Sequence, residues 1–214
     1  MASRSDVLVK LLAGQPVVPV LKIDRLEDAV PLARALAAGG LPAIEITLRT
    51  RVALEAIRKV AKEVPEATVG AGTILNVRDF ENVERAGARF VVSPGQTPDL
   101  LKRAATSDAA FLPGAITPAE MMTLLEHDYT VAKFFPAEQA GGVPFIKSLA
   151  SPFAGLSFCP TGGISMKNAG DYLAQPNIVC IGGSWVAPDD ALAAGDWARV
   201  TKLAAEAAAL RAKG

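Results

Sequence analysis

Residues 43–50 read Ala43-Ile44-Glu45-Ile46-Thr47-Leu48-Arg49-Thr50, and a helical pattern over Arg51–Val64 and the run Thr68-Val69-Gly70-Ala71 follow them. The first run is short, β-branched and alternating, the mark of a strand. In Arg51–Val64 the residues Ala53, Ile57, Val60 and Val64 recur at helical spacing on one face. The third run is again strand-like. One strand–helix–strand unit therefore fits in under thirty residues. The same alternation extends outward in both directions. Strands are predicted at Val17–Leu21, Ala43–Thr47, Thr68–Ala71, Phe90–Ser93, Ala110–Pro113, Thr130–Phe134, Ser157–Thr161 and Ile178–Gly182. A second helix is predicted at Asn76–Ala86, with Val77, Phe80 and Val83 on one side. Thr97-Pro98 and Thr117-Pro118 each place an N-cap before a proline at the first helical position. Gly39-Gly40 and Gly87 end helices.

Eight such units in 214 residues, roughly 25 residues each, match a (β/α)8 TIM barrel. A doubly wound open sheet is the alternative, and it usually carries a G-x-G-x-x-G turn after the first strand. Here that strand is followed by Leu21-Lys22-Ile23-Asp24. No linker, charge run or low-complexity segment interrupts the chain, so residues 1–214 read as a single (β/α)8 barrel domain. Met1 to Gly14 is expected to form a short N-terminal amphipathic helix, with Val7, Leu8, Leu11 and Leu12 on one side. Asp189–Gly214 is expected to form a closing helix, with Trp197, Val200, Leu203 and Ala204 on its apolar side.

Composition narrows the function. Half of the residues are hydrophobic, and 22 basic side chains balance 22 acidic ones. This balance gives no sign of a nucleic-acid or membrane surface, so an anionic ligand must be met by local groups. There is no apolar run of membrane-spanning length and no signal segment, and a cytoplasmic location is the default. Cys159 and Cys180 both lie in apolar segments and are expected as buried thiols. His127 is the only histidine. A single histidine argues against a histidine-based triad or a multi-histidine metal site, so proton transfer falls to carboxylates, lysine, tyrosine or water.

Barrel active sites lie at the C-terminal ends of the strands. Lys133 closes the run Val131-Ala132-Lys133-Phe134-Phe135-Pro136. A buried ammonium is costly, and desolvation disfavours the charged form of an amine. A neutral amine attacks a ketone to form a Schiff base. The alternative is a lysine whose stem packs while its head reaches water. Lys22, after the first strand, is the rival amine. Strand alternation puts Ala43, Glu45 and Thr47 on one face, with Ile44 and Ile46 on the other. It likewise puts Val131, Lys133 and Phe135 on one face, so a barrel brings Glu45 and Lys133 together. An ion pair without chemistry is the other reading, although such pairs rarely improve stability. Arg49 offers a guanidinium for bidentate binding of a carboxylate, or is simply an exposed arginine. Gly70-Ala71-Gly72-Thr73 allows close backbone approach. Pro160-Thr161-Gly162-Gly163 and Ile181-Gly182-Gly183-Ser184 end the last two strands, the usual phosphate position of this architecture.

Together these motifs, with Ser93-Pro94-Gly95 and Gly182-Gly183-Ser184-Trp185, resemble the 2-keto-3-deoxy-6-phosphogluconate (KDPG/KHG) aldolase family from about Val17 to Trp185. The resemblance implies a class I Schiff-base aldolase on a (β/α)8 barrel, a homotrimer of the Entner–Doudoroff pathway. Such an enzyme, a carbon–carbon lyase, cleaves 2-keto-3-deoxy-6-phosphogluconate to pyruvate and glyceraldehyde 3-phosphate. Many members also act on 4-hydroxy-2-oxoglutarate. It implies Lys133 as the Schiff-base lysine and Glu45 as the general acid/base. It implies Arg49, Thr73, Pro94, Phe135 and Thr161 around the pyruvate portion, and Gly162, Gly163, Gly183 and Ser184 around the phosphate. No cofactor and no metal are implied. Two alternatives remain at this stage. One is an aldolase for the galactonate epimer, because C4 stereochemistry rests on small contacts. The other is a sugar-phosphate-binding barrel that is not an aldolase, such as an epimerase, an isomerase or a silent binder.

Overall fold

The computed structural model describes residues 4–210. It begins with helix α1 (Asp6–Leu12) and strand β1 (Val17–Leu21), then α2 (Ala29–Ala38) and β2 (Ala43–Thr47). Next come α3 (Ala53–Glu63), β3 (Thr68–Gly72), α4 (Val77–Arg85) and β4 (Phe90–Val92). The second half holds α5 (Pro98–Ala104), β5 (Ala110–Leu112), α6 (Pro118–Glu126), β6 (Val131–Phe134) and α7 (Gly142–Leu149). It ends with β7 (Ser157–Pro160), α8 (Ala169–Leu173), β8 (Ile181–Gly183), α9 (Asp189–Ala194) and α10 (Trp197–Ala208). Every observed strand pairing is parallel. Six strands form one sheet in the order β5-β4-β3-β2-β1-β8, and β6 pairs with β7. The two pieces approach each other at both junctions. Lys133 N donates to the Pro113 carbonyl at 2.8 Å, and Ala115 N to the Lys133 carbonyl at 3.0 Å. Single bridges Phe158–Ile178 and Thr161–Gly182 link β7 to the segment around β8. The result is a curled parallel sheet with helices on its outer side.

Side-chain alternation sorts the core into two layers. Ile44, Ile46, Ile57, Val60 and Phe80 belong to the large cluster between sheet and helices. Burial of each such side chain contributes about 1.5–3 kcal/mol. Val18, Ala43, Phe90, Ala110, Val131, Cys159 and Cys180 form a smaller cluster inside the curl. Leu8 and Leu12 join this inner cluster, so α1 lies across the N-terminal ends of the strands. Ser5 Oγ fixes it there by accepting from Thr130 N and Val131 N at 3.0 and 3.1 Å. The buried Gln15 side chain accepts from Ala43 N at 2.9 Å and donates to the Val17 carbonyl at 2.9 Å.

The expected N-terminal helix is shorter than Met1–Gly14 among the described residues, and Val7 is 55% exposed. Leu8 and Leu12, spaced for one face, are the residues it buries. The last strand begins later than Ile178. Pairing with β1 sets its register at Val17–Ile181, Val18–Gly182 and Pro19–Gly183. The expected closing helix is two helices within the described residues. The chain breaks at Gly195, and the Asp196 side chain caps α10 by accepting from Arg199 N at 3.0 Å. Both Thr-Pro starts act as read. Thr97 accepts from Leu100 N, and Thr117 forms a full capping box with Glu120.

Candidate active site

The C-terminal edge of the sheet gathers the polar residues. Lys133 stands in β6, and its Nζ donates to Glu45 Oε1 of β2 at 3.3 Å. Lys133 is 6% exposed and Glu45 3%. The pair meets because parity in both strands aims these side chains inward, while Ile44, Ile46, Ala132 and Phe134 face the helices. The ammonium also sits 5.5 Å from the centre of the Phe135 ring, whose π face attracts a cation. Below the pair lie Val131 and the two cysteines, so one side of the site is apolar. Lys22 is in a different setting. It is half-exposed and pairs with Asp24 at 2.8 Å in water.

Gly72 holds the space that Glu45 needs. A Cβ at that position would lie 1.9 Å from Glu45 Oε1, so any side chain there displaces the carboxylate. Thr73 follows it with φ at 64°, in the left-handed region uncommon for a β-branched residue. Pro94 follows buried Ser93 beyond β4, and its carbonyl packs so close to Gly114 that a Cβ there would sit at 2.2 Å. Gly114 in turn bridges to Lys133. Thr161 is buried and bridges to Gly182, which places it between the last two strands.

The loops after β6 and β7 are zipped together. Ala137 N donates to the Thr161 carbonyl at 2.8 Å, and Glu138 N to the Gly162 carbonyl at 3.1 Å. The Phe135–Pro136 peptide between them is cis. Gly162 and Gly163 have φ of 104° and 77°, a conformation that favours glycine, and neither sets a side chain over the backbone. Glu138 backs this turn and accepts a hydrogen bond from the Tyr172 hydroxyl. Nothing in the sequence pattern marks Glu138 or Tyr172, since a lone acid and a helical tyrosine are common. Across the opening, Gly183 packs on the Trp185 ring and Ser184 is exposed. Ser184 shares a hollow of about 220 Å³ with Arg49, Lys22 and Asp189. Arg49 is exposed, and its Nε donates to Thr47 Oγ1 at 2.9 Å. The structure thus joins Lys133, Glu45 and Phe135 directly. It sets Thr73, Pro94 and Thr161 on the neighbouring strand ends, and Arg49 and Ser184 on one hollow.

These features define an α/β protein with a curled parallel sheet whose C-terminal edge carries a buried lysine–carboxylate pair. The family model described as KDPG and KHG aldolase matches residues 8–203. The chain belongs to the KDPG and KHG aldolase family. It is 52% identical to the KHG/KDPG aldolase of Escherichia coli over 197 residues, which cover 92% of each chain. It is similar in structure to the Legionella pneumophila KDPG aldolase with pyruvate captured as a covalent carbinolamine. That match has a TM-score of 0.90 and 44% identity, covering 92% of this chain and 96% of the other. The Zymomonas mobilis 2-keto-3-deoxy-6-phosphogluconate aldolase with 3-phosphoglycerate matches with a TM-score of 0.91 and 48% identity. It covers 98% and 99% of the two chains.

Proposed function

We propose that this chain is a class I aldolase that cleaves 2-keto-3-deoxy-6-phosphogluconate to pyruvate and glyceraldehyde 3-phosphate, and also acts on 4-hydroxy-2-oxoglutarate. The buried Lys133–Glu45 contact of 3.3 Å carries the reading. Removing two opposite charges from water rarely improves stability, so the pair points to a function. Family membership, and the carbinolamine with pyruvate in the Legionella relative, support it.

In this reading Glu45 takes a proton from Lys133, and the freed Nζ adds to the C2 ketone. Glu45 returns the proton to the carbinolamine hydroxyl, water leaves, and an iminium remains. Glu45 then removes the C4 hydroxyl proton. The C3–C4 bond breaks, its electron pair flows to the iminium nitrogen, and the aldehyde departs. The enamine left behind is protonated at C3, and water releases pyruvate from Lys133. Arg49, Thr73, Pro94, Phe135 and Thr161 surround the pyruvate portion. Gly162, Gly163, Gly183 and Ser184 receive the phosphate on backbone N–H groups and one hydroxyl. The curled sheet closes as a (β/α)8 barrel forming a single domain, a reading supported by the Gly114–Lys133 and Thr161–Gly182 bridges. The homotrimer and the cytoplasmic location that the resemblance implies belong to the same proposal.

The test is borohydride reduction in the presence of pyruvate, followed by peptide mapping. A pyruvate-derived adduct on Lys133 is expected. An adduct on Lys22, with Lys133 unmodified, overturns the assignment.

A further inference from the structure

We propose that Thr47 is a positioning residue that fixes which edge of the Arg49 guanidinium meets the substrate carboxylate. The inference rests on the aldolase reading, in which Arg49 binds the C1 carboxylate. Thr47 is the last residue of β2 and is 2% exposed. Its Oγ1 lies 2.7 Å from the Leu21 carbonyl and 2.9 Å from Arg49 Nε. A hydroxyl has one proton to give. The carbonyl can only accept and the Nε–H can only donate. The hydroxyl therefore donates to Leu21 and accepts from Arg49, with no alternative polarity. This relay ties the arginine to the end of β1 through a buried atom. The backbone tightens the same point, because Arg49 N donates to the Thr47 carbonyl at 2.8 Å and Leu48 N to the Gly72 carbonyl at 2.9 Å.

The consequence concerns geometry. A guanidinium offers a carboxylate two bidentate edges, one formed by Nε with a terminal nitrogen and one by the two terminal nitrogens. Thr47 occupies Nε. The terminal edge alone remains for the ligand, and it is held on a short leash. An exposed arginine without this tie samples many rotamers, and binding must then order it. Thr47 thus removes part of that cost in advance without touching substrate.

The experiment compares Thr47→Val, which keeps shape but loses the hydroxyl, with Thr47→Ser, which keeps the hydroxyl. Kinetics of 2-keto-3-deoxy-6-phosphogluconate cleavage and the pyruvate dependence of borohydride trapping are measured for both. Thr47→Val is expected to raise KM and the half-saturating pyruvate concentration about tenfold, with kcat changed far less. Thr47→Ser should restore most of the loss. In an Arg49→Ala background, Thr47→Val should add nothing further, because both act through one contact. Circular dichroism checks folding, and Thr47→Ala replaces the valine variant if that protein does not fold. Independent, multiplying losses from the two sites would overturn the proposal, as would a loss confined to kcat. Unchanged pyruvate trapping with impaired cleavage would also overturn it, since Arg49 would then serve the distal phosphate. Failure of the wild-type enzyme to form any adduct on Lys133 would instead remove the aldolase reading beneath it.

Discussion

Glu45 is held against Lys133 and in the space that Gly72 leaves free. In the proposed cycle it moves every proton. Glu45→Gln preserves the shape and removes the titratable group, so turnover should fall roughly a hundredfold to ten-thousandfold. Pyruvate and substrate should bind much as before, which steady-state kinetics and inhibition by pyruvate would check. Near-normal turnover would assign the protons to another group. At this scale the sequence is informative where chemistry conflicts with surroundings. Lys133 and Glu45 are legible because charged residues interrupt apolar strands at inward positions. The role of Thr47 is not, because a threonine ending a strand is ordinary until the Leu21 carbonyl is brought to it from another strand. Glu138 and Tyr172 escape for the same reason, as their contact joins the loop after β6 to α8.

The elements follow local chemistry closely where caps and alternation agree, and less where pairing decides. β1 and β2 have the bounds that alternation predicts. The last strand does not, because its register is set by β1 and not by its own apolar run. The helix α6 is the clearest case of local specification. Thr117 accepts from Glu120 N, and the Glu120 carboxylate accepts from Thr117 N at 2.8 Å and Ile116 N at 2.9 Å. These backbone donors hold the Glu120 carboxyl below its usual range against the opposing effect of burial. Thr117→Ala removes one half of the box and should cost about 0.5–2 kcal/mol. The melting temperature should then drop by roughly 1–8 °C, at about 2–4 °C per kcal/mol, read by calorimetry. An unchanged melting temperature would show that packing alone sets the start of α6.

Stability of the whole molecule at high pH depends on groups that the fold keeps protonated. Burial pushes the Tyr129 hydroxyl from 10.0 up to about 12. Burial, then the hydrogen bond to Glu138, raises Tyr172 as well. The Cys159 contact and then burial raise Cys180 well above 9.0, with the two sulfurs 3.3 Å apart. Below their unfolded values these groups are protonated in both states and add no pH dependence. Above about pH 9 the unfolded chain loses protons that the folded chain retains, so stability must fall as pH rises. Urea midpoints should decrease steadily from about pH 8.5 to about pH 11. A flat profile would mean that these groups ionise equally in both states. The overall alternation of strands and helices was legible because each unit repeats the same local pattern. The junctions flanking β6 and β7 were not, because they rest on single bridges between distant segments.

Leu8 and Leu12 of α1, set into the inner cluster, give the space beneath Lys133 an apolar floor, and the polar pair lies at the opposite, C-terminal edge of the strands. In the proposed reaction a ligand enters and leaves by that edge. In that reaction the fragment tethered to Lys133 stays bound when the C3–C4 bond breaks, so traffic is last in, first out: the aldehyde clears before pyruvate can go. In the synthetic direction pyruvate must then be loaded before the aldehyde, as an ordered queue. Product-inhibition patterns should report that order, and random release of the two fragments would argue against a tether that outlasts the aldehyde.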